Sequence, residues 1–535
     1  MLPDSTRPAL GAALAAALLL SACGTGEDTE PQPEGTLSPE TGHGTAEPEA
    51  GAQGHDDVDA PPADEPPSPE LQEFYDQQVD WQECDDAEHC ATVRVPLDYD
   101  DPEGGEIEIE LVADSVEQDQ PYLLTNPGGP GESGVDIVAD YASAMFTDEL
   151  RESYNLVGFD PRGVYRSEGL TCMSDEEMDQ YRQQVTEEDL DDDAAYAEAQ
   201  EQARELGEQC AQRSGEILAH VDTFSAARDM DILRAALGEQ QLHYLGFSYG
   251  TKLGLAYAQE HPERVGRFVL DSMVDVTVPA HELSLAQAVG FETALEGFSE
   301  WCVEQESCPA ASPDEVVSTV QGLFEQISEE PVTAPDGRTM NVSTLVSGFI
   351  TPMYVPEGWP ILLQALNAAL EEQDYYAFQF LADQQAGRGS DGTYDWINTW
   401  AFRGVMCLDY PMAETQEQIE AEYEEMVDAA PTFGPYLGHS GVLCAEWPHE
   451  PVNEPWEPEL DGVDEVLFIG TTGDPATPVQ WAEHMHELVP ESSLLIFEGE
   501  GHIAYRPGHD CVVERVEDYL LHGELFSGAQ QCSAS

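Results

Sequence analysis

Ser248 lies in Gly246-Phe247-Ser248-Tyr249-Gly250, a Gly-x-Ser-x-Gly pentapeptide. A serine hydroxyl is a weak nucleophile until a neighbouring base takes its proton. The flanking segments offer a way to present that hydroxyl. Leu242–Leu245 reads as a short buried strand and Thr251–Gln259 as a helix. A serine on so sharp a strand-to-helix turn is forced out above the sheet edge, and the glycines leave the backbone room to turn. The helix N-terminus beneath it favours a developing negative charge. The chemistry expected is acyl transfer through attack on a carbonyl.

Two downstream loops carry the partners this chemistry needs. Glu465–Gly470 reads as a buried strand running into Thr471-Thr472-Gly473-Asp474-Pro475-Ala476-Thr477-Pro478. Thr477-Pro478 reads as an N-cap and first helical position, opening a helix to Leu488. Ser493–Phe497 reads as the next strand, ending in Glu498-Gly499-Glu500-Gly501-His502. Asp474 and His502 thus follow strands, on the edge where open α/β sheets bind ligands. His502 can accept the serine proton and return it to the leaving group. Asp474 would hold the imidazole tautomer and stabilise the imidazolium. Taken alone, Asp474 could simply cap a turn. His484 and His486 fall on the intervening helix and read as surface residues, and His509 is the runner-up base.

Upstream, the strand Tyr122–Thr125 runs into Asn126-Pro127-Gly128-Gly129-Pro130-Gly131-Glu132-Ser133-Gly134. So many glycines beside a strand point to close backbone approach. One oxyanion donor is expected from the Tyr249 N–H and a second from this loop, Gly129 first and Gly128 next. The plain alternative is a Gly/Pro turn.

From Tyr122 onward strands alternate with helices, which implies a mostly parallel sheet. Ser225–Leu237 reads as the helix before the Ser248 strand, Arg267–Leu270 as the strand after it, and Gly105–Leu111 alternates as a half-buried strand. The alternation stops between about residues 278 and 455. Helical segments fill that span, at Leu285–Glu304, Pro313–Ser328, Trp359–Leu370 and Gln416–Asp428. A mainly helical lid is expected there. Tyr375, Tyr376, Phe378, Phe380, Trp396 and Trp400 either line its pocket or form its core, the commoner use. The organisation expected is a leader over 1–22, an acidic linker over 23–70, core over 71–277, cap over 278–455 and core again over 456–535.

Together these stretches resemble the secreted tripeptidyl-aminopeptidase-like α/β-hydrolases of actinobacteria, relatives of prolyl iminopeptidase. The matching stretches also include Val95–Tyr99, Asp160-Pro161-Arg162-Gly163, Asp229–Arg234, Val269-Leu270-Asp271, and Cys511 through Tyr519 to Cys532. Glu132 departs from the small residue such proteins often carry, and Tyr165 interrupts the run after Arg162. The resemblance implies an α/β-hydrolase fold and hydrolysis of peptides from a free amino terminus, with no metal or organic cofactor. A carboxylesterase acting on small or lipid esters is the alternative, since some members prefer esters. A peptide-binding lipoprotein without turnover is a third reading. Exopeptidase action needs a carboxylate for the substrate ammonium. Glu132 and Asp409 are the candidates.

Pro8–Leu20 is apolar but too short to span a membrane, and Leu20-Ser21-Ala22-Cys23 resembles a lipobox. Cleavage before Cys23 and lipidation of its thiol are expected, giving a membrane anchor outside the cell. Ordinary signal-peptidase cleavage nearby is the alternative. Removing Cys23 from the 11 cysteines leaves an even set, which fits an oxidising compartment. Sequence leaves their connectivity open. Proximity favours Cys84–Cys90, Cys302–Cys308 and Cys511–Cys532, with Cys172–Cys210 and Cys407–Cys444 as further pairs. No His/Cys cluster has zinc-like spacing. Acids number 108 against 18 basic residues, only one of them a lysine (Lys252), for a formal charge of −90. Such self-repulsion is screened at molar salt, where the Debye length is about 3 Å. A protein working in saline surroundings is expected; an acidic protein from an ordinary milieu is the alternative. Nucleic acid is excluded as a partner because no basic patch engages phosphates.

Overall fold

The computed structural model describes residues 65–84, 89–184, 193–334, 336–394, 398–413, 415–438, 441–463 and 465–533. The proposed leader, Cys23 and most of the linker lie outside them, as does Trp396.

Among the described residues eleven strands form, in chain order: β1 His89–Pro96, β2 Glu106–Ala113, β3 Tyr122–Asn126, β4 Asn155–Phe159, β5 Leu242–Phe247, β6 Val265–Asp271, β7 Val332–Thr333, β8 Thr339–Met340, β9 Val466–Gly473, β10 Ser492–Glu500 and β11 Ala529–Ser533. Nine make one sheet in the order β1-β2-β4-β3-β5-β6-β9-β10-β11. Only the β1–β2 and β2–β4 pairs are antiparallel; the rest run parallel. β7 and β8 make a separate short ribbon.

Both faces of this sheet are covered. Leu124, Val157, Tyr244, Phe268, Leu270 and Phe468 point into one buried cluster. Their alternates Leu123, Leu156, Leu245, Phe247, Val269 and Leu467 point into another. Successive side chains alternate faces, so continuous apolar runs are what a sheet buried on both sides requires. The helices that matter for the site are α1 Gly134–Met145, α2 Thr223–Leu237, α3 Tyr249–Glu260, α4 Asn398–Asp409, α5 Val479–Leu488 and α6 Asp510–His522.

Between β6 and β9 the described residues are mainly helical apart from the β7–β8 ribbon, beginning with Ala280–Val303 and including Pro313–Glu329, Val342–Ile350 and Trp359–Glu372. These helices share an apolar core of their own, around Phe298, Phe324, Phe349 and Leu366. Tyr375 and Phe378 belong to that core, and Trp400 is buried in the cluster beneath the sheet. None of these three is free to line a pocket. Tyr376 is exposed and stacks on Phe380.

All five expected disulfides form: Cys84–Cys90, Cys172–Cys210, Cys302–Cys308, Cys407–Cys444 and Cys511–Cys532. One boundary differs from the sequence reading. α5 starts at Val479 with Pro478 at the N-cap, and Thr477 makes no cap. Its hydroxyl turns instead to Asp474, at 2.9 Å.

Candidate active site

Strand register brings the functional loops to one rim. Asn126 pairs with Gly246, Phe247 with Asp271, Asp271 with Ile469, and Gly473 with Glu500. The ends of β3, β5, β6, β9 and β10 are therefore nearly level, and the loops that follow them face one another.

Ser248 occupies the turn from β5 into α3 with φ 55° and ψ −123°. A non-glycine residue there stores roughly 1–3 kcal/mol of strain, tolerated because the surroundings impose it. A Cβ at Gly246 would lie 2.6 Å from the Gly250 carbonyl oxygen, and one at Gly250 would lie 2.7 Å from that of Asn126. Only glycine fits on either side. The Ser248 N–H donates to the Asp271 carbonyl at 2.9 Å, and its own carbonyl accepts from the Thr251 N–H at 2.8 Å. The side chain is left half-exposed.

Asp474 and His502 are locked together. His502 Nδ1 lies 2.8 Å from both Asp474 carboxylate oxygens. Asp474 also accepts the N–H groups of Ala476 and Thr477, each at 2.8 Å, and the Ser272 hydroxyl at 2.9 Å. A carboxylate on Nδ1 puts the proton there and leaves Nε2 as the acceptor, an assignment from partners. Burial pushes the His502 imidazole toward neutrality. Asp474 outweighs it, with help from Asp271 and Glu132, and holds the ring above its ordinary value.

Asp271 ties the loops to each other. Its carboxylate accepts the N–H groups of Ala504 and Tyr505 at 3.2 and 2.7 Å, while its carbonyl holds Ser248. Burial raises this carboxyl to about 6 against those two donors. Ser272 bridges Asp474 and the Ile503 N–H, the latter at 2.8 Å. Neither Asp271 nor Ser272 was assigned a role from sequence, although Asp271 stands in a matching motif.

Among the described hydrogen bonds, none joins Ser248 Oγ to His502. Catalytic contacts are often long in unliganded sites and tighten when substrate arrives.

The glycine-rich loop lies against the Ser248 turn. A Cβ at Gly128 would fall 2.9 Å from Ser248 Cβ and 3.2 Å from the Tyr249 nitrogen. The Gly128 N–H, however, donates to Asn126 Oδ1 at 3.0 Å, so Gly128 is no oxyanion donor. Gly129 is exposed, and among the described hydrogen bonds neither its N–H nor that of Tyr249 has a partner. Below the loop, Ser133 caps α1 and donates to Asp160 at 2.5 Å, and Arg166 bridges Asp160 and Asp136.

The two amine-site candidates separate. Asp409 is buried and fully engaged, 2.8 Å from Lys252 Nζ and accepting from Thr223 and Asn453. It has no capacity left for a substrate ammonium. Glu132 is half-buried, and no described residue donates to its carboxylate. Burial raises it, and the nearby His502 pulls it back. The helical segment between β6 and β9 adds a residue that sequence missed: Tyr354, half-buried, packs edge-on against the His502 ring at 5.6 Å. Its carbonyl accepts the His502 N–H at 2.7 Å.

The remaining histidines do other work. His509 stacks on Phe497 at 4.0 Å and holds the Ala504 carbonyl, so it supports the loop. His484 pairs with Asp275 at 2.6 Å, and His486 with Ser492 at 2.7 Å. Among the described residues, no cluster of three or more His, Cys, Asp or Glu could hold a metal.

The C-terminal segment, residues 430–532, matches the family model described as TAP-like protein. Serine protease Hip1 of Mycobacterium tuberculosis is 31% identical over 458 residues, covering 83% of this chain and 87% of that protein. Carboxylesterase B of the same organism is 32% identical, with coverage of 83% and 86%. Tripeptidyl aminopeptidase of Streptomyces lividans is 28% identical over 473 residues, covering 85% and 86%. Together with the sheet order and the loops at its rim, this likeness means that the chain belongs to the tripeptidyl-aminopeptidase-like serine hydrolases of the α/β-hydrolase fold.

Proposed function

We propose that Ser248, His502 and Asp474 are the catalytic triad of a serine exopeptidase that releases short peptides from a free amino terminus. His502 Nε2 takes the Ser248 proton as Oγ attacks the scissile carbonyl. The N–H groups of Tyr249 and Gly129 receive the oxyanion. The imidazolium, held by Asp474, gives its proton to the departing amine, leaving an acyl-enzyme that water hydrolyses by the reverse proton route. Glu132 receives the substrate ammonium. The observation that carries this reading is the two-oxygen grip of Asp474 on His502 Nδ1, which leaves Nε2 free on the rim that also bears Ser248.

A carboxylesterase using the same triad is the second reading, favoured by the 32% identity to a protein named carboxylesterase B. Tripeptidyl, dipeptidyl and aminoacyl nitroanilides assayed beside short acyl esters separate the two. Turnover of a free-amine nitroanilide well above that of its N-acylated form supports the exopeptidase. Esters alone being cleaved replaces it with the esterase, and turnover surviving Ser248→Ala removes both.

The five disulfides support an oxidising, extracellular setting. Among the described residues no helix is long and apolar enough to cross a membrane. Lipidation of Cys23 would supply the anchor, with the acidic segment after it as tether and residues 278–455 as cap. Metabolic labelling with a fatty-acid probe tests this: the label should vanish in Cys23→Ala.

A further inference from the structure

In a chain with 108 acidic residues, the single lysine is kept away from the surface. Lys252 lies in the first turn of α3, 3% exposed, with Nζ 2.8 Å from Asp409 Oδ2. Nζ also stands 3.9 Å from the centre of the Tyr410 ring. Asp409 closes α4 in the cap, two residues after the Cys407–Cys444 bridge. Its Oδ1 accepts the Thr223 N–H and the Asn453 amide, both at 2.9 Å, and its Oδ2 accepts the Thr223 hydroxyl.

Thr223 Oγ1 in turn lies 2.8 Å from the Tyr249 hydroxyl. A threonine has one hydroxyl hydrogen, and here it goes to the carboxylate, so Tyr249 must be the donor to Thr223. A directed chain results. Tyr249 donates to Thr223, Thr223 to Asp409, and Lys252 closes the far end. It runs from the cap to the residue immediately after Ser248. A buried ion pair is weak evidence for stability, because apolar residues of similar volume often serve as well. Its use lies elsewhere.

We propose that Lys252 is a positioning residue for acyl transfer: through Asp409 and Thr223 it holds Tyr249, and with it the backbone N–H that meets the oxyanion. This rests on reading Ser248 as the nucleophile and the Tyr249 N–H as an oxyanion donor. It also gives the cap a direct hold on the core's nucleophile turn.

A double-variant cycle tests it. Tyr249→Phe keeps the ring and removes the donor; Lys252→Met keeps the length and removes the charge. Each is expected to lower kcat roughly tenfold with KM changed less than about twofold, as small misplacements of a catalytic group do. The double variant should fall no further than the deeper single, because both cut the same chain. Losses that multiply, to roughly a hundredfold, mean independent sites and overturn the proposal. So does an unchanged kcat in either single. Circular dichroism and thermal midpoints establish that each variant is folded. Should Lys252→Met fail to fold, Thr223→Val replaces it in the cycle with the same expectations. Ser248→Ala is assayed alongside. If it retains turnover, the nucleophile reading fails and this inference falls with it. If it is inactive while the losses multiply, only the positioning role is refuted.

Discussion

Glu132→Gln tests substrate recognition directly. The Glu132 Cγ would lie 3.1 Å from a Cβ placed on Gly129, so its stem abuts the loop residue with a free N–H. Its carboxylate has no donor among the described residues, and its charge adds to the pull that raises the His502 ring. A hydrogen bond to a charged group contributes roughly 1.5–3 kcal/mol. Its loss should lower kcat/KM on free-amine peptides roughly 10- to 150-fold, mainly through KM. N-acylated peptides and short esters have no ammonium and should change less than about twofold. The same variant has a pH signature. His502 works as a base when neutral, so activity rises as pH climbs through its pKa. Removing an anion that raises this pKa must move the acid limb to lower pH, for both substrate types. Nitroanilide and ester kinetics from acid to neutral pH give both readouts. Equal losses on free-amine and acylated substrates would refute the assignment.

Other outcomes follow from the same geometry. Asp474→Asn removes the group that holds the His502 tautomer, so kcat should drop by roughly 10³–10⁴ while the fold persists; a loss under tenfold would contradict the triad. Asp231 is buried against Arg234 and the Tyr75 and Tyr257 hydroxyls. Burial pushes its carboxyl up, but His261 and Arg234 outweigh this and hold it at about 2. Burial keeps His261 itself below its usual value, which leaves Arg234 as the permanent partner. Because the folded pKa is depressed, this stabilisation is complete above the unfolded value near 4. It should disappear as pH falls toward 2, a loss of about 2 kcal/mol in acid unfolding that Asp231→Asn would abolish. Finally, unfolding midpoints should rise from dilute to molar NaCl as the formal charge of −90 is screened; a flat profile would count against adaptation to salt.

Much of the site was legible in the chain because its parts are local. A pentapeptide between a strand and a helix, and two short loops after apolar runs, single out Ser248, Asp474 and His502 as candidates without knowledge of tertiary contacts. Steric need makes Gly246 and Gly250 readable as well. The expected disulfides also form, although their pairing was not derivable from sequence. What could not be read were relations between distant segments. Asp409 looked like a substrate carboxylate until packing set it against Lys252 and Thr223. Gly129 ranked only just ahead of Gly128 until Asn126 took the Gly128 N–H. Tyr354 arrived from the helical segment between β6 and β9, and Asp271 proved to be the knot between two loops.

Sequence alone determined the reaction class, because the residue types, their order and the period of the flanking strands and helices are local properties. Tertiary structure decided which donors remain free and which charges are neutralised. Those depend on long-range packing, where each buried polar group must find a partner and only the unpaired ones remain for substrate.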